Sequence, residues 1–337
     1  MQMNRRGIIC AGCWTVDRIK LVDKWPAEEE LARILAVERQ GGGSSHNVGI
    51  DLCKLDPTLP VATIGLLGQD IDGDFLFDQA TTCEMDTSQL WRTAASATSY
   101  TDVISVTDTG KRTFFHYPGA NDLLEPRHFS FTGRRERILH LGLLSVHALM
   151  DADHDEGHNG WSKVLEAARS AGLKTSIEMV STDRHRNRLL ATPCLPHLDY
   201  LIVNDQEIGA IADLPTLIDG KTDIDICLQA ADRVLASGNM KLVAVHYPTG
   251  AVCITRSGER HVTRSLKVPK SRIKGTVGAG DAFAAGFLYA IHEQWSVEQA
   301  LELAHVVAAA SLRSLTTVGA VGSLAQCRQF ADELRSA

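Results

Sequence analysis

A glycine-rich turn that ends in an acid is the segment of this sequence best suited to chemistry. The run TVGAGDAFAAGF places Gly278, Ala279 and Gly280 directly before Asp281, and an apolar pattern typical of a helix follows. A helix N-terminus presents unpaired N–H groups and the positive end of the helix dipole. Glycines let the backbone approach an anion closely, so the turn can hold phosphate oxygens or a developing oxyanion. An acid at that point can accept a proton from a hydroxyl that attacks phosphorus.

Three interpretations of this turn follow from its residues. A base beside an anion-binding backbone is what phosphoryl transfer to an alcohol requires. The structural alternative is that Asp281 only caps its own helix, since Asp is favoured near helix starts. A dinucleotide site is disfavoured, because Gly278, Gly280 and Gly286 do not have the G-x-G-x-x-G spacing. The acid would also repel a pyrophosphate. The spacing alone leaves the first two interpretations open.

Composition narrows the class of protein. The chain has 337 residues, of which 44% are hydrophobic and 22% charged, and its formal net charge is −7. These proportions are typical of a soluble globular protein, and the length allows one large α/β domain or two ordinary ones. The negative charge disfavours nucleic-acid binding, and no apolar run reaches the roughly 18 residues of a membrane span. No signal-peptide pattern is found at the start, so we expect a cytoplasmic protein with no nucleic-acid or membrane partner.

Two other groups of residues have spacings close to those of redox or metal sites. Cys10 and Cys13 form a C-x-x-C, but inside the first predicted strand, whereas a redox pair lies at a helix N-terminus. We expect all eight cysteines to be reduced thiols. The segment 151–161 contains four acids and two histidines without the ligand offsets of an EF-hand. We expect a solvated loop there, at the carboxyl end of a strand.

The elements that must position these residues follow from the apolar pattern. Short apolar segments predict strands at 7–12, 61–68, 137–144, 173–179, 198–204, 241–247 and 250–256. Most are near-continuously apolar, which is typical of strands buried on both faces of a parallel sheet. Amphipathic segments such as 160–172 and 223–238 predict helices between them. The alternation predicts a three-layer α/β/α sandwich with a mostly parallel central sheet.

Two segments, at about 16–40 and 98–120, interrupt this alternation with strand-like patterns. The second contains TDTGK, a hairpin turn signal between β-branched and aromatic residues. Two antiparallel excursions from one α/β body predict a small β-sheet that forms a lid over the site. The glycines at 41–43 are followed by SSHNVGIDLCKL, which predicts a helix entered through a Ser cap.

Motifs at both ends of the chain resemble those of the ribokinase-like (PfkB-type) carbohydrate kinases. GTVGAGDAFAAGF resembles the C-terminal signature of that family, and residues 41–73 resemble its N-terminal signature. Between them, HYPGAN (116–121) resembles the segment that closes the lid onto the sugar, and VNDQE (203–207) resembles the family's Asn-x-x-Glu. Four motifs in the family's order imply one ribokinase-like kinase domain over residues 1–337.

The resemblance implies an ATP-dependent kinase that phosphorylates a hydroxyl of a sugar or sugar-like molecule. Asp281 would be the catalytic base, and the amides of residues 278–280 would form an anion hole. The implied substrate contacts are Asp17, Gly42, Gly43, Asn47 and Asn121. The implied nucleotide contacts are Asn204, Glu207, Thr249 and Gly250. Glu207 would also hold hydrated Mg²⁺, which keeps several waters and needs few carboxylates. Without the resemblance, Glu207 would be interpreted as a first-turn helix acid and Asn47 as a polar residue at a helix entry.

Two further properties follow from comparing this sequence with the family pattern. Gly275 stands where sugar kinases of the family often have an acid that supports a monovalent cation, which puts potassium activation in doubt. Lid sheets in the family often pair between subunits, and exposed strand edges favour such pairing, so the resemblance implies a homodimer.

Two other functions are compatible with the sequence. A nucleoside (adenosine-type) kinase of the same superfamily would hold a base between aromatic side chains, for which Trp14, Phe115 and Tyr117 are available. Aromatic residues on lid strands are as often part of a core. A catalytically silent sugar-binding regulator is the other alternative, and the retained Asp281 and its glycines disfavour it.

Overall fold

The computed structural model describes residues 5–109, 111–155 and 157–336. The strands of its main sheet are β1 (Ile8–Gly12), β4 (Val61–Gly68), β5 (Asp86–Thr93), β8 (Ile138–Leu144), β11 (Lys174–Met179), β12 (Tyr200–Asn204), β15 (Leu242–Tyr247), β16 (Gly250–Thr255) and β17 (Arg260–Arg264). Those of a second sheet are β2 (Thr15–Val22), β3 (Ile34–Gly42), β6 (Tyr100–Val106) and β7 (Arg112–Tyr117). Two short hairpins pair β9 (Asp153–Asp155) with β10 (His158–Asn159) and β13 (Leu217–Ile218) with β14 (Lys221–Thr222).

The helices of the described residues cover both faces of the main sheet. They are α1 (Ser44–Leu55), α2 (Ile71–Thr82), α3 (Ala148–Asp151), α4 (Gly160–Ser170), α5 (Arg184–Ala191), α6 (Asp205–Ala212), α7 (Ile224–Ala236), α8 (Ala279–His292), α9 (Val297–Ser311) and α10 (Leu324–Ser336). One apolar core lies between the sheet and α1, α2, α8, α9 and α10, and the other lies between the sheet and α3 to α7. The predicted three-layer arrangement is therefore confirmed.

The main sheet has the strand order β17-β16-β15-β12-β11-β8-β1-β4-β5. All pairings from β5 to β15 are parallel, and the pairings β15–β16 and β16–β17 are antiparallel. The segment predicted at 250–256 is thus a strand but runs against its neighbour, because only two residues separate the paired Tyr247 and Gly250. Carboxyl ends of parallel strands share one edge of a sheet, and ligands of open α/β sheets bind at that edge.

The second sheet has the order β3-β2-β6-β7 and contains strands from both segments predicted to form a lid. β2 pairs parallel with β6 and places Asp17 opposite Thr101. Gly110, in the predicted TDTGK turn, lies outside the described residues. The sheet begins three residues after β1 ends, so its first strand starts at the edge of the main sheet where the carboxyl ends lie.

The predicted Ser cap of α1 is wrong. The N-cap residue is Gly43, which has φ 86° and ψ 146° and offers no side chain to cap the helix. A Cβ at this position would lie 2.6 Å from the carbonyl oxygen of Cys13. Only glycine combines this backbone conformation with so close an approach. Ser44 becomes the first helical residue, and its buried hydroxyl has no hydrogen-bond partner in the described structure.

None of the helices in the described residues is both long enough and apolar enough to traverse a lipid bilayer.

Candidate active site

The N-terminus of α8 is the centre of the candidate site. Gly278 is its N-cap, with φ 82° and ψ −1°, and a Cβ there would lie 2.7 Å from the carbonyl oxygen of Thr317. The conformation and the close contact together require glycine. No side chain caps this helix. The Ala279 amide donates to the carbonyl oxygen of Thr276 at 3.3 Å, so the amides that follow it in the first turn are the better placed to bind an anion.

The Asp281 carboxylate does not cap its own helix in this structure. Its Oδ2 accepts a hydrogen bond of 2.7 Å from Asn47 Nδ2, which α1 supplies. Asn47 Oδ1 in turn accepts a hydrogen bond of 3.0 Å from Thr317 Oγ1. Burial raises the pKa of Asp281 well above its ordinary value, and the charge of Glu178 adds to this effect. Asp281 is therefore bonded to α1 rather than to the N-terminus of its own helix.

Glu178 and His140 belong to this site, although the sequence analysis did not identify them. Glu178 lies near the carboxyl end of β11, and its charge raises the pKa of Asp281. His140 of β8 lies with Nε2 2.9 Å from Glu178 Oε2. Burial raises the pKa of Glu178 to about 7 and lowers that of His140 to about 4. The available signal was a histidine in the otherwise largely apolar RILHLGLL and an acid near the end of the predicted strand LKTSIEM.

Asp17 approaches the same point from the second sheet. Burial raises its pKa to about 7, Asp281 contributes a further rise, and a hydrogen bond with Thr101 lowers it. A Cβ at Gly42 would lie 2.6 Å from Asp17 Oδ2. Gly42 therefore leaves open the space beside this carboxylate. The structure places Asp17, Gly42, Asn47 and Asp281 close together, as the sequence predicts. Their roles in substrate binding and catalysis stay predictions.

Asn121 lies beside the short connection between β1 and β2. It is fully buried in a short 3₁₀ turn at 119–123, and its Nδ2 donates a hydrogen bond of 3.1 Å to the carbonyl oxygen of Trp14. Its Oδ1 has no hydrogen-bond partner in the described structure. In this structure Asn121 fixes the backbone at the entry to β2, and a direct substrate contact remains a prediction.

A cavity of about 510 Å³ adjoins the N-terminus of α8. Ala279 and Gly280 form its wall at that helix, and the hairpin β15–β16 and helices α6 and α9 surround the rest. Much of its lining is apolar or aromatic, with polar groups from Asn204 and His246. Its volume lies in the usual range of about 300–1,000 Å³ for small-molecule and cofactor sites.

Of the predicted nucleotide contacts, Asn204 and Gly250 line this cavity, whereas Glu207 and Thr249 are not part of its wall. Thr249 occupies the exposed two-residue turn between β15 and β16, and its carbonyl oxygen accepts a hydrogen bond from the Ser265 amide at 3.1 Å. A side chain in that turn points to solvent because the hairpin is as tight as a two-residue connection allows.

Glu207 is engaged within the protein. It forms a capping box with Asn204 at the start of α6, in which the Asn204 amide donates to Glu207 Oε2 at 2.9 Å. Ser181 Oγ and Asn204 Nδ2 donate to Oε1 at 2.9 and 2.8 Å. Burial raises the pKa of Glu207 to about 8. The carboxylate borders a smaller cavity of about 250 Å³ beside the larger one. A role at Mg²⁺ through water stays a prediction.

The predicted aromatic sandwich for a nucleoside base is not assembled in this structure. Trp14 is fully buried and packs edge-on against His46. Phe115 is 56% exposed and stacks on Trp25, which lies in the loop between β2 and β3. Tyr117 lies beside Tyr100. Among the aromatic pairs of the described residues, none joins Trp14 to either lid aromatic.

Two further regions were considered from the sequence, residues 151–161 as a metal site and Gly275 in connection with potassium. The first forms α3, a two-stranded hairpin and the start of α4, and Glu156 lies outside the described residues. Across ranges 5–109, 111–155 and 157–336, no three His, Cys, Asp or Glu side chains form a group suited to a metal.

A Cβ at Gly275 would lie 2.8 Å from the carbonyl oxygen of Ser314. A larger side chain there would need the backbone to move, so potassium activation stays in doubt.

Comparison with solved structures confirms the class of fold. Ribokinase of Arabidopsis thaliana, whose structure is described as complexed with ribose and ATP, has a TM-score of 0.78 at 19% identity and covers 97% of this chain and 99% of its own. The similarity shows a ribokinase-like α/β fold with small additional sheets.

Sequence comparison gives the family. The chain matches the pfkB family carbohydrate kinases over residues 5–321 and belongs to that family. It is a sugar or nucleoside kinase, a phosphotransferase with an alcohol group as acceptor, and ribokinase-family kinases use ATP. ATP-dependent ribose-1-phosphate kinase of Halopiger xanaduensis is 26% identical over 94% of this chain and 97% of its own length. 5-Dehydro-2-deoxygluconokinase of Geobacillus kaustophilus is 33% identical over 99 residues, 29% of each chain.

Proposed function

We propose that this protein is an ATP-dependent kinase that phosphorylates a hydroxyl of a sugar or sugar-like molecule, with Asp281 as the general base. The observation that carries the proposal is the position of the Asp281 carboxylate. It lies on the first turn of α8, whose Ala279 and Gly280 border the 510 Å³ cavity. It accepts a hydrogen bond from Asn47, its pKa is raised by the charge of Glu178, and it raises the pKa of Asp17.

The cavity is suited to ATP by its size and by its position at a helix N-terminus. An adenosine group fits a lining that is largely apolar, and the phosphates would extend toward the first-turn amides of α8. The backbone at residues 278–280 would then stabilise charge on the transferring phosphoryl group. These amides would be in position before the reaction, because they belong to the backbone at the start of α8.

Asp281 would receive the proton of the attacking hydroxyl at Oδ1 or Oδ2. The bond from Asn47 favours the ionised carboxylate and opposes the rise in pKa that burial causes. Glu207 and Asn204 at the start of α6 are the residues we propose for Mg²⁺, held through water. When bound, Mg²⁺ would supply positive charge that offsets the charge developing in phosphoryl transfer.

The second sheet is proposed to close over the acceptor. β2 carries Asp17, so movement of this sheet moves one acceptor contact with it. Closure that excludes water would limit hydrolysis of ATP in place of transfer.

A two-stage screen tests the function. Sugars, polyols and nucleosides are first ranked by the rise in melting temperature that they cause, and those that bind are then assayed for ADP formation from ATP and Mg²⁺. The proposal requires ADP formation that depends on a sugar or polyol. ADP formation with nucleosides alone would favour the nucleoside kinase, and binding without ADP formation would favour the silent regulator.

A further inference from the structure

Two arginines lie opposite each other on one face of the second sheet. The antiparallel register of β2 and β3 pairs Arg18 with Arg39, and it pairs the preceding residue, Asp17, with Gln40. Successive side chains of a strand point to opposite faces, so Asp17 and Arg18 belong to opposite faces of the sheet. Like charges directly opposite each other on two strands are destabilising. A negative group shared by both arginines would therefore stabilise this register.

Asp72 of α2 is that negative group. Its Oδ2 lies 2.6 Å from Arg18 Nη2 and its Oδ1 lies 3.3 Å from Arg39 Nη1, so each carboxylate oxygen meets one guanidinium group. The Asp72 side chain is only 9% exposed, and ion pairs that are partly buried are screened less by salt than exposed ones. Among the ion pairs of the described residues, these two alone join the second sheet to a helix.

Both guanidinium groups also lie over aromatic rings. Arg18 lies 3.8 Å from the centre of the Tyr100 ring on the neighbouring strand β6, and Arg39 lies 4.3 Å from that of Phe75 on α2. Cation–π contacts of this kind add to the attraction of an ion pair. Each arginine is thus restricted by two partners, unlike the arginine of an isolated ion pair on the surface.

The helix α2 is anchored in the main body of the protein. Leu76 and Ala80 of α2 are fully buried in the core on one side of the main sheet. At its start, Asp70 accepts a hydrogen bond of 2.8 Å from the Gly73 amide and caps the helix. The two ion pairs therefore connect the second sheet to an element whose position the core determines.

We propose that Asp72 is a positioning residue for the acceptor: through Arg18 and Arg39 it holds β2 and β3 where Asp17 and Gly42 meet the substrate. The inference rests on the proposed function, in which Asp17 and Gly42 contact the acceptor. Asp17 directly precedes Arg18, and Gly42 lies three residues after Arg39. Without the charge of Asp72, the two arginines would face each other unpaired, and the sheet would lose its ionic contact with α2. The residues that line the 510 Å³ cavity belong to other elements, so the effect should fall on the acceptor and not on ATP.

Steady-state kinetics of the full-length protein with the best acceptor from the screen test this role. Asp72→Asn should raise the KM for the acceptor about tenfold and leave the KM for ATP unchanged, a separation that general loss of structure would not produce. Asp72→Glu keeps the charge and should recover most of the acceptor affinity. Asp74→Asn is the matched control, because it removes an ion pair of 2.7 Å between the same helix and Arg92 of β5, outside the second sheet. It should leave both KM values unchanged.

Arg18→Gln is the second variant, should Asp72→Asn fail to fold, and it should raise the KM for the acceptor severalfold. If both act through one contact, the double variant Asp72→Asn/Arg18→Gln should be no worse than Asp72→Asn alone. An acceptor KM for Asp72→Asn equal to that of the wild type, or an equal rise in the KM for ATP, would overturn the inference.

Calorimetry without ATP separates this inference from the proposed function. A sugar or polyol that binds the wild type should bind Asp72→Asn about tenfold more weakly, whether or not ADP is formed. That result without ADP formation would refute the kinase function and leave the positioning role standing. Sugar-dependent ADP formation with equal acceptor binding by Asp72→Asn and the wild type would refute the positioning role and leave the kinase function. The absence of any bound sugar, polyol or nucleoside would refute both.

Discussion

Asp281 combines two environments that act on its pKa in opposite directions. Burial and Glu178 favour the protonated form, whereas the hydrogen bond from Asn47 favours the carboxylate. A general base works best when its pKa is near the operating pH, and such opposed influences are the usual means of placing it there. Residues whose pKa values are shifted in this way cluster at functional sites.

The site could be predicted from the sequence as far as its residues lie in local motifs. Gly278 and Asp281 are three positions apart in one turn, and Asn47 follows the glycines at 41–43 in the first turn of α1. Glu178 and His140 could not be found in this way, because they meet only through the parallel pairing of β8 with β11. No local pattern encodes that register, so an acid in one apolar strand and a histidine in another remained without a predicted role.

Asp17 provides a prediction about stability. Its pKa is raised to about 7 in the folded protein and is near 4 in the unfolded chain, so the folded state holds this proton more tightly. The stability that the proton contributes is lost as the pH rises through 7. We expect Asp17→Asn to raise the free energy of unfolding at pH 8 by about 1–3 kcal/mol, with little change near pH 4.

Urea denaturation at pH 8 and pH 4 measures this difference in the free energy of unfolding. Because Asp17 is also a proposed acceptor contact, Asp17→Asn should weaken acceptor binding, which calorimetry measures. Asp78→Asn on the exposed face of α2 is the control, for which neither change is expected. Equal free energies of unfolding for Asp17→Asn and the wild type at pH 8 would show that ionisation of Asp17 does not destabilise the folded protein.

Alanine substitutions at Gly278 and Gly280 distinguish a role in anion binding from a role in the fold. A Cβ at Gly280 would lie 3.4 Å from His246, which is close to an ordinary contact, and alanine is favoured over glycine in a helix by up to about 1 kcal/mol. We expect Gly280→Ala to preserve or raise the melting temperature and to lower kcat/KM for ATP at least tenfold, because the methyl group narrows the cavity beside the phosphates. Gly278→Ala should instead lower the free energy of unfolding by about 1–3 kcal/mol. A fully active Gly280→Ala variant would place the anion hole elsewhere.

At the scale of elements, the buried strands were the predictable part. β4, whose eight residues are all buried, matches its predicted bounds. β5 and β17, the outermost strands of the main sheet, were not predicted, because their exposed positions break the apolar runs. The start of α1 was misassigned because the requirement for glycine at position 43 is not local: a Cβ there would collide with Cys13, which lies 30 positions earlier in the sequence.

Glu207 at the start of α6 caps that helix and, as we propose, also helps to bind Mg²⁺. Glu207→Gln should lower the free energy of unfolding by about 1 kcal/mol through the altered capping box, and should raise severalfold the Mg²⁺ concentration that gives half-maximal velocity. Gln299→Ala is a matched control, because it removes a capping box with Ser296 at the start of α9. It should reproduce the loss of stability without the change in Mg²⁺ requirement. Equal Mg²⁺ curves for Glu207→Gln and wild type would confine Glu207 to the capping role.

At the scale of the whole molecule, the second sheet leaves apolar side chains exposed on both of its edge strands. Val37 of β3 is 66% exposed, and Phe114 of β7 is 55% exposed. Exposed apolar edge strands favour pairing with another chain, so we expect a homodimer through these sheets. Sedimentation analysis should show a dimer for the wild type and a monomer for the double variant Val37→Lys/Phe114→Lys. Ile218→Lys, at an exposed apolar residue outside this sheet, should remain dimeric. A monomeric wild type at micromolar concentration would contradict the expectation.

In the proposed mechanism, phosphoryl transfer takes place at Asp281, which directly follows Ala279 and Gly280 in the wall of the nucleotide cavity. The most direct test is the turnover of Asp281→Asn with the best acceptor from the screen, compared with Asp78→Asn. We predict that kcat falls by about 10²–10⁴-fold while the dissociation constant of the acceptor changes little, because a general base contributes mainly to the transition state. Near-normal turnover of Asp281→Asn would contradict its assignment as the base.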